Sequence, residues 1–143
     1  MVVLQSLTRE DLRVEIGRIL GAVKLLEADA SGTTTTFLTD ELAPYAASDF
    51  IGKWLVFTSG QTNIDGQIRQ VTASSISSNR VTLTFFPAVS NAPIDGATAE
   101  LWDEKYDPED IHAFIQRTAD DVTGLIYDPE EDTTFHGGNH ARF

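Results

Sequence analysis

Residues 33–102 form a series of short β-type segments separated by turn residues, and this pattern constrains the fold most. The clearest segment is 80–86, where Val81, Leu83 and Phe85 alternate with polar residues. Further β-type segments are 53–58, 67–73 and 98–102. The turn-forming pairs between segments include Ser59-Gly60, Asp65-Gly66, Ser78-Asn79 and Asp95-Gly96. Short strands with such turns predict a small antiparallel sheet or barrel.

Two amphipathic helices are predicted to flank this β module. The first covers residues 8–24, with Thr8 as N-cap and an apolar stripe at Leu12, Ile16, Ile19, Leu20 and Val23. The second covers 108–127 and begins at Asp107-Pro108, with an apolar stripe at Ile111, Phe114, Ile115, Val122, Leu125 and Ile126. The predicted fold is therefore α+β, with one domain at 1–128 and an extended tail at 129–143.

The apolar stripes of both helices require burial, and a five-strand module can cover one of them well. The helices are expected either to pair with each other across the base of the β module or to pack against neighbouring subunits. Gly17 and Gly21 lie four residues apart, and each costs about 1 kcal/mol of helix propensity relative to Ala. They predict a place where another backbone, in this chain or a partner, comes close. The alternative is a frayed helix of mixed quality.

Charge and composition exclude several classes of function. The chain has 22 acidic and 10 basic residues, a net charge of −12, and residues 101–143 contain eleven of the acids and three of the bases. Nucleic-acid affinity comes mainly from Lys and Arg neutralising phosphates, so such a chain repels free DNA. The absence of cysteine excludes disulfides and thiolate catalysis. No apolar run approaches 18 residues and no signal peptide is visible, so no membrane association is expected.

No catalytic or cofactor-binding set is evident, and the chain is predicted not to be an enzyme. It lacks a Gly-x-Ser-x-Gly elbow and a phosphate-binding glycine loop. His136 and His140 have a spacing that suits a helical metal site, but Gly137-Gly138 argues against a helix there, so no metal is predicted. The aromatic residues in or beside strands could line a sugar-binding face, although their alternation favours a core: Trp54, Phe57, Phe85, Phe86 and Trp102.

The β segment resembles a small module that recurs in virion structural proteins of tailed bacteriophages. The likeness lies in Trp-Leu-Val-Phe-Thr-Ser-Gly at 54–60, Gly-Gln-Ile-Arg at 66–69, and a Pro-Ile-Asp-Gly turn at 93–96 before the last strand. Tyr-Asp-Pro-Glu-Asp-Ile at 106–111, followed by a helix, belongs to the same pattern, which covers about residues 34–126. An acidic α-β-α chain with a loose tail is similar to head–tail connector proteins of the neck, although many of those adaptors are chiefly helical.

The resemblance implies a structural protein of the virion neck, made in the bacterial cytoplasm. It implies a ring of identical copies, expected to be a dodecamer, that contacts the portal and other neck or tail proteins. Packaged DNA would pass the acidic inner wall as non-adhering cargo. Residues 129–143 would be a flexible docking tail with interface residues Phe135, His140 and Phe143, or else an inert terminus. The alternative functions are capsid decoration or tail-fibre attachment, and carbohydrate binding.

Overall fold

The computed structural model describes residues 8–43 and 45–126, except for the side chains of Leu125 and Ile126. Two helices flank a seven-stranded antiparallel sheet, which confirms the predicted α+β class. The elements are α1 (Arg9–Leu20), β1 (Val23–Glu27), β2 (Ala30–Thr33), β3 (Thr36–Thr39), β4 (Trp54–Ser59), β5 (Ile68–Ser77), β6 (Arg80–Phe86), β7 (Thr98–Trp102) and α2 (Pro108–Ile126). The predicted docking residues Phe135, His140 and Phe143 lie outside the described residues.

The sheet curls round on itself. Its strand order is β1-β7-β4-β5-β6-β3-β2, so the two outermost strands are consecutive in the chain. At the junction between them, the Ala28 N–H donates to the Ala97 carbonyl (2.8 Å) and the Asp29 N–H donates to the Leu38 carbonyl in β3 (3.1 Å). Two adjacent residues thus form hydrogen bonds near opposite ends of the strand order, one beside β7 and the other to β3. The segment 23–33 therefore connects the two ends of the strand order, with β1 paired to β7 and β2 paired to β3, and the sheet has the form of a small barrel.

Apolar side chains fill the barrel interior. In β6 the predicted alternation is confirmed, because Val81, Leu83 and Phe85 are buried and the residues between them are not. The rings of Phe57 and Phe85 meet edge to face with centroids 5.4 Å apart, a favourable aromatic geometry. A second, smaller cluster lies outside the barrel beneath the helices and contains Ala22, Val56 and Trp102, with Val23, Trp54, Ile68, Tyr106 and Ile111 packed against it.

The first helix is shorter than predicted. Its start is as expected, since the Thr8 hydroxyl accepts from the Asp11 N–H and the Asp11 carboxylate accepts from the Thr8 N–H. Its end is at Leu20, where Gly21 adopts the left-handed conformation (φ 65°) of a helix C-cap. The prediction of a helix to residue 24 was wrong, because residues 23–27 instead pair with β7 as a strand. The β module accordingly begins at residue 23 and not at about 33.

The two helix glycines have different roles. A Cβ added at Gly17 would lie 2.6 Å from Val23 Cγ1 and 2.7 Å from Trp102 Cη2, so α1 sits directly on these two side chains. The close approach is therefore made by side chains of the same chain and not by another backbone. At Gly21, no heavy atom of the described residues other than its chain neighbours lies within 4 Å of the Cβ position. Gly21 is needed because the C-cap adopts the left-handed conformation, and not because another group comes close.

Candidate functional site

Helix α1 has two faces with different environments. The face toward the barrel contains Arg13 and Gly17, which are buried. The predicted apolar stripe lies on another face: Leu12, Ile19 and Leu20 remain 38%, 81% and 44% exposed. Full burial of a large apolar side chain gains roughly 1.5–3 kcal/mol. The stripe is therefore an exposed apolar surface, within the described part of the chain, whose covering by a partner would be favourable.

Helix α2 is anchored at its first turn. The Asp107 carboxylate accepts from the Glu109 N–H (2.9 Å) and caps the helix, and Ile111 packs against the cluster beneath the helices. The whole helix has 19 residues and is about 28 Å long. Beyond the first turn Phe114 and Val122 are 53% and 46% exposed. Phe114 and Val122 of the α2 stripe therefore lie beyond the small cluster that holds the start of the helix.

The two exposed stripes meet in an apolar groove of about 570 Å³. The groove is lined by Leu12 and Ile16 of α1 and by Phe114, Ile115, Thr118, Ala119, Val122 and Thr123 of α2. We call this surface the helix groove. The sequence left open whether the helices pair with each other or face neighbouring subunits. In the structure they contact each other and still present an open apolar surface between them.

A buried polar cluster holds the two helices against β7. Arg13 Nε donates to Glu100 Oε1 (2.8 Å), and Arg13 Nη2 donates to Glu100 Oε2 (2.5 Å). The Trp102 indole N–H also donates to Glu100 Oε1 (2.9 Å). The remaining Arg13 nitrogen, Nη1, lies 2.6 Å from His112 Nε2 on α2. One arginine of α1 thus contacts both the barrel and the second helix.

The protonation state of His112 follows from this geometry. Arg13 has donors and no acceptor, so His112 Nε2 must accept the hydrogen bond, and the imidazole must be neutral with its proton on Nδ1. Burial lowers the pKa of His112, and the charges of Arg13 and Arg9 lower it further; Glu109 and Glu100 act in the opposite direction. The environment therefore favours the neutral form that the contact with Arg13 needs.

Sequence reasoning did not identify this cluster. Two weak signals were present. Arg13 lies four residues before Gly17, on the α1 face away from the apolar stripe, and Glu100 interrupts the run Ala-Glu-Leu-Trp at 99–102. A charged residue inside an otherwise apolar strand indicates a buried partner, since an unpaired buried charge is very costly. Which residue supplies the opposite charge depends on how α1 crosses the barrel, and periodicity does not show that.

Other candidate sites are weaker in the structure. Phe57, Phe85 and Trp102 are at most 1% exposed and cannot stack on a sugar; of the five aromatic residues considered, Phe86 is well exposed and Trp54 is partly buried. Within residues 8–43 and 45–126, no three His, Asp or Glu side chains converge closely enough to hold a metal ion. Neither helix in this part of the chain has the length and apolarity needed to cross a membrane.

The sequence matches no protein-family model, no curated protein and no solved structure. Any functional conclusion therefore depends on the surface and charge of this chain. Its most distinctive surface is the helix groove, which is apolar, open, and supported by a buried polar cluster.

Proposed function

We propose that this chain is a non-enzymatic virion protein of a tailed bacteriophage that assembles into a ring of identical copies in the neck. The observation that carries the proposal is the helix groove, an open apolar surface between two helices that the rest of the described chain leaves uncovered. Large exposed apolar surfaces on small domains mark sites of protein association. The resemblance of residues 34–126 to phage virion modules supports the proposal that the assembly is a phage virion.

The proposed occupant of the groove is the next copy of the same chain. Each copy has a groove and also an apolar ridge at the end of α1, formed by Ile19 and Leu20. We call these two residues the α1 ridge. The ridge of one copy can fill the groove of the next, which gives a head-to-tail contact. Such a contact generates a closed ring when the rotation between copies divides a full turn.

Charge supports this pairing of surfaces. Helix α1 contains three acidic and three basic residues, whereas α2 contains four acidic residues and one basic residue. Arg13 is buried, so the exposed charges of α1 are three acidic and two basic residues. At a net charge of −12, most surfaces of two copies repel each other, and the nearly balanced α1 is a region through which they can approach. Placing α1 of one copy beside α2 of the next brings the exposed Arg18 toward the exposed Asp120 and Asp121.

The proposed position is between portal and tail, with the portal and adjoining neck or tail proteins as partners. An acidic chain suits a channel through which DNA must slide, because like charge prevents adsorption of the phosphate backbone. A ring of twelve copies would match this position. Capsid decoration or tail-fibre attachment would use the same association chemistry. Cryo-electron microscopy of intact particles separates these roles, because density for the chain outside the neck would assign it to the shell or tail tip.

Two alanine substitutions test the ring contact. Ala119 lines the helix groove, whereas Ala113 is exposed on the opposite side of α2. Ala119→Glu buries a carboxylate in the proposed contact and is expected to give monomers by light scattering, while Ala113→Glu adds the same charge and keeps the rings. Electron microscopy with and without purified portal shows the assemblies directly. Monomeric wild-type protein under both conditions contradicts the proposal.

A further inference from the structure

We infer that the contact between His112 and Arg13 is a pH-responsive latch that sets the position of α2 against α1 and so controls the width of the helix groove. The inference deepens the proposed function, since it matters for assembly only if the groove is the ring contact. The latch itself is a property of one chain. It can therefore be tested whether or not copies associate.

The α1 side of the latch is fixed. Arg13 is 4% exposed and makes two hydrogen bonds to Glu100, which is 1% exposed. Glu100 is held in turn by the indole N–H of Trp102. These contacts leave Arg13 Nη1 aimed at His112 Nε2 on α2. Among the polar contacts of the described residues, this single hydrogen bond joins the two helices, and it depends on one neutral imidazole.

Protonation of His112 removes the contact. An imidazolium has two donors and no acceptor, so it cannot accept from Arg13, and two cations would lie 2.6 Å apart. The charged groups that act on His112 are Arg9 and Arg13 from α1, Glu100 from β7, and Glu109 from its own helix. Glu10 of α1 also lines the pocket beside His112. Both carboxylate oxygens of Glu100 already accept hydrogen bonds from Arg13. A charged His112 is therefore expected to form an ion pair with Glu109.

Solvent can reach the latch. A pocket of about 390 Å³ opens beside it, lined among others by Thr8, Arg9, Glu109 and His112. A proton can therefore bind without unfolding of the chain, and an imidazolium has room to turn away from Arg13. His112 lies only two residues before Phe114, which lines the groove. The start of α2 is held by Ile111, so we expect protonation to tilt the helix from His112 onward and to move the α2 wall away from Leu12 and Ile16 of α1.

Distance measurement between two spin labels tests the latch. The chain contains no cysteine, so labels can be placed uniquely at Ser75→Cys, exposed on β5, and at Gly124→Cys, where a new Cβ has no described atom beyond its chain neighbours and its own helix backbone within 4 Å. We expect a shift to longer and broader distances as the pH is lowered from about 7.5 to well below the ordinary histidine pKa of about 6.5, because the pKa of His112 is lowered in the folded chain. The shift should be reversible and should also occur in the Ala119→Glu background, where the ring contact is blocked.

Two histidine variants make the test specific. His112→Gln provides an acceptor for Arg13 that does not titrate, and it should abolish the shift. The double change His136→Gln with His140→Gln removes the other two histidines of the chain and should preserve it. Identical distances over the whole pH range in which the chain stays folded, or an equal shift in His112→Gln, would overturn the latch. A shift that depends on His112 in a chain that never forms rings would support the latch and refute the ring.

Discussion

Arg13 and Glu100 lie 87 positions apart in the sequence and form an ion pair buried between α1 and β7. The pair is bidentate, and it places the guanidinium so that its third nitrogen meets His112 on α2. A buried ion pair adds little net stability, since the desolvation of both charges opposes their attraction. Its effect here is on geometry, because it fixes where the two helices lie and hence the shape of the helix groove.

Loss of one partner should be far more harmful than loss of both. Arg13→Met leaves the Glu100 carboxylate buried without its counter-ion, and we expect the free energy of unfolding to fall by about 3–5 kcal/mol. The double variant Arg13→Met with Glu100→Leu should recover much of that loss. Urea unfolding of the three proteins measures this. Arg18→Met, which breaks an exposed pair with Glu15, is the control and should change stability little.

The glycines of the helices should respond to alanine in opposite directions. Gly17→Ala gains about 1 kcal/mol of helix propensity, but its Cβ would lie within 2.8 Å of the Val23 and Trp102 side chains, and we expect net destabilisation of about 1–3 kcal/mol. Gly124→Ala adds a Cβ with no described atom beyond its chain neighbours and its own helix backbone within 4 Å, and it should stabilise the chain by about 0.5–1 kcal/mol. Urea midpoints give the sign directly. A stabilising Gly17→Ala would show that α1 can lift off the barrel.

Local patterns predicted most of the secondary structure. The alternation in 80–86 and the turn at Ser78-Asn79 define β6 and its hairpin, and Asp107-Pro108 defines the start of α2. The end of α1 was mispredicted because Val23 continues the helical apolar spacing. Its β-branched side chain also suits a strand, and pairing with Trp102 in β7 decides between the two.

Local patterns could not predict contacts between residues that are distant in the sequence. Closure of the sheet depends on the hydrogen bonds of Ala28 to Ala97, beside β7, and of Asp29 to β3. Neither Ala28 nor Asp29 lies in a sequence pattern that predicts these bonds. The sequence also predicted two apolar helix stripes without showing how much of each the barrel covers. The barrel-facing side of α1 is instead formed by Arg13 and Gly17, so the apolar stripe is left to form the groove.

The stability of the chain should depend on His112 at mildly acidic pH. Burial and the charge of Arg13 lower the pKa of His112 in the folded chain, so the unfolded chain binds this proton at higher pH than the folded chain does. The contribution of His112 to stability is therefore fully present above about pH 6.5 and is lost as pH falls from there toward the lowered pKa. Urea unfolding at several pH values should show this fall, and His112→Gln should remove it. An equal fall in both proteins would assign the effect to other groups.

The proposed head-to-tail ring contact makes a prediction about charge. Arg18→Glu places an acid on α1 where the acidic α2 of the next copy should lie, and we expect weaker assembly by light scattering, most clearly at low salt. Lys105→Glu changes the net charge equally at an exposed site between β7 and α2, and should assemble normally. Adding Asp121→Arg to Arg18→Glu restores an opposite pair across the contact and should recover rings. Failure of this rescue, with both single variants behaving alike, would place the contact elsewhere on the chain.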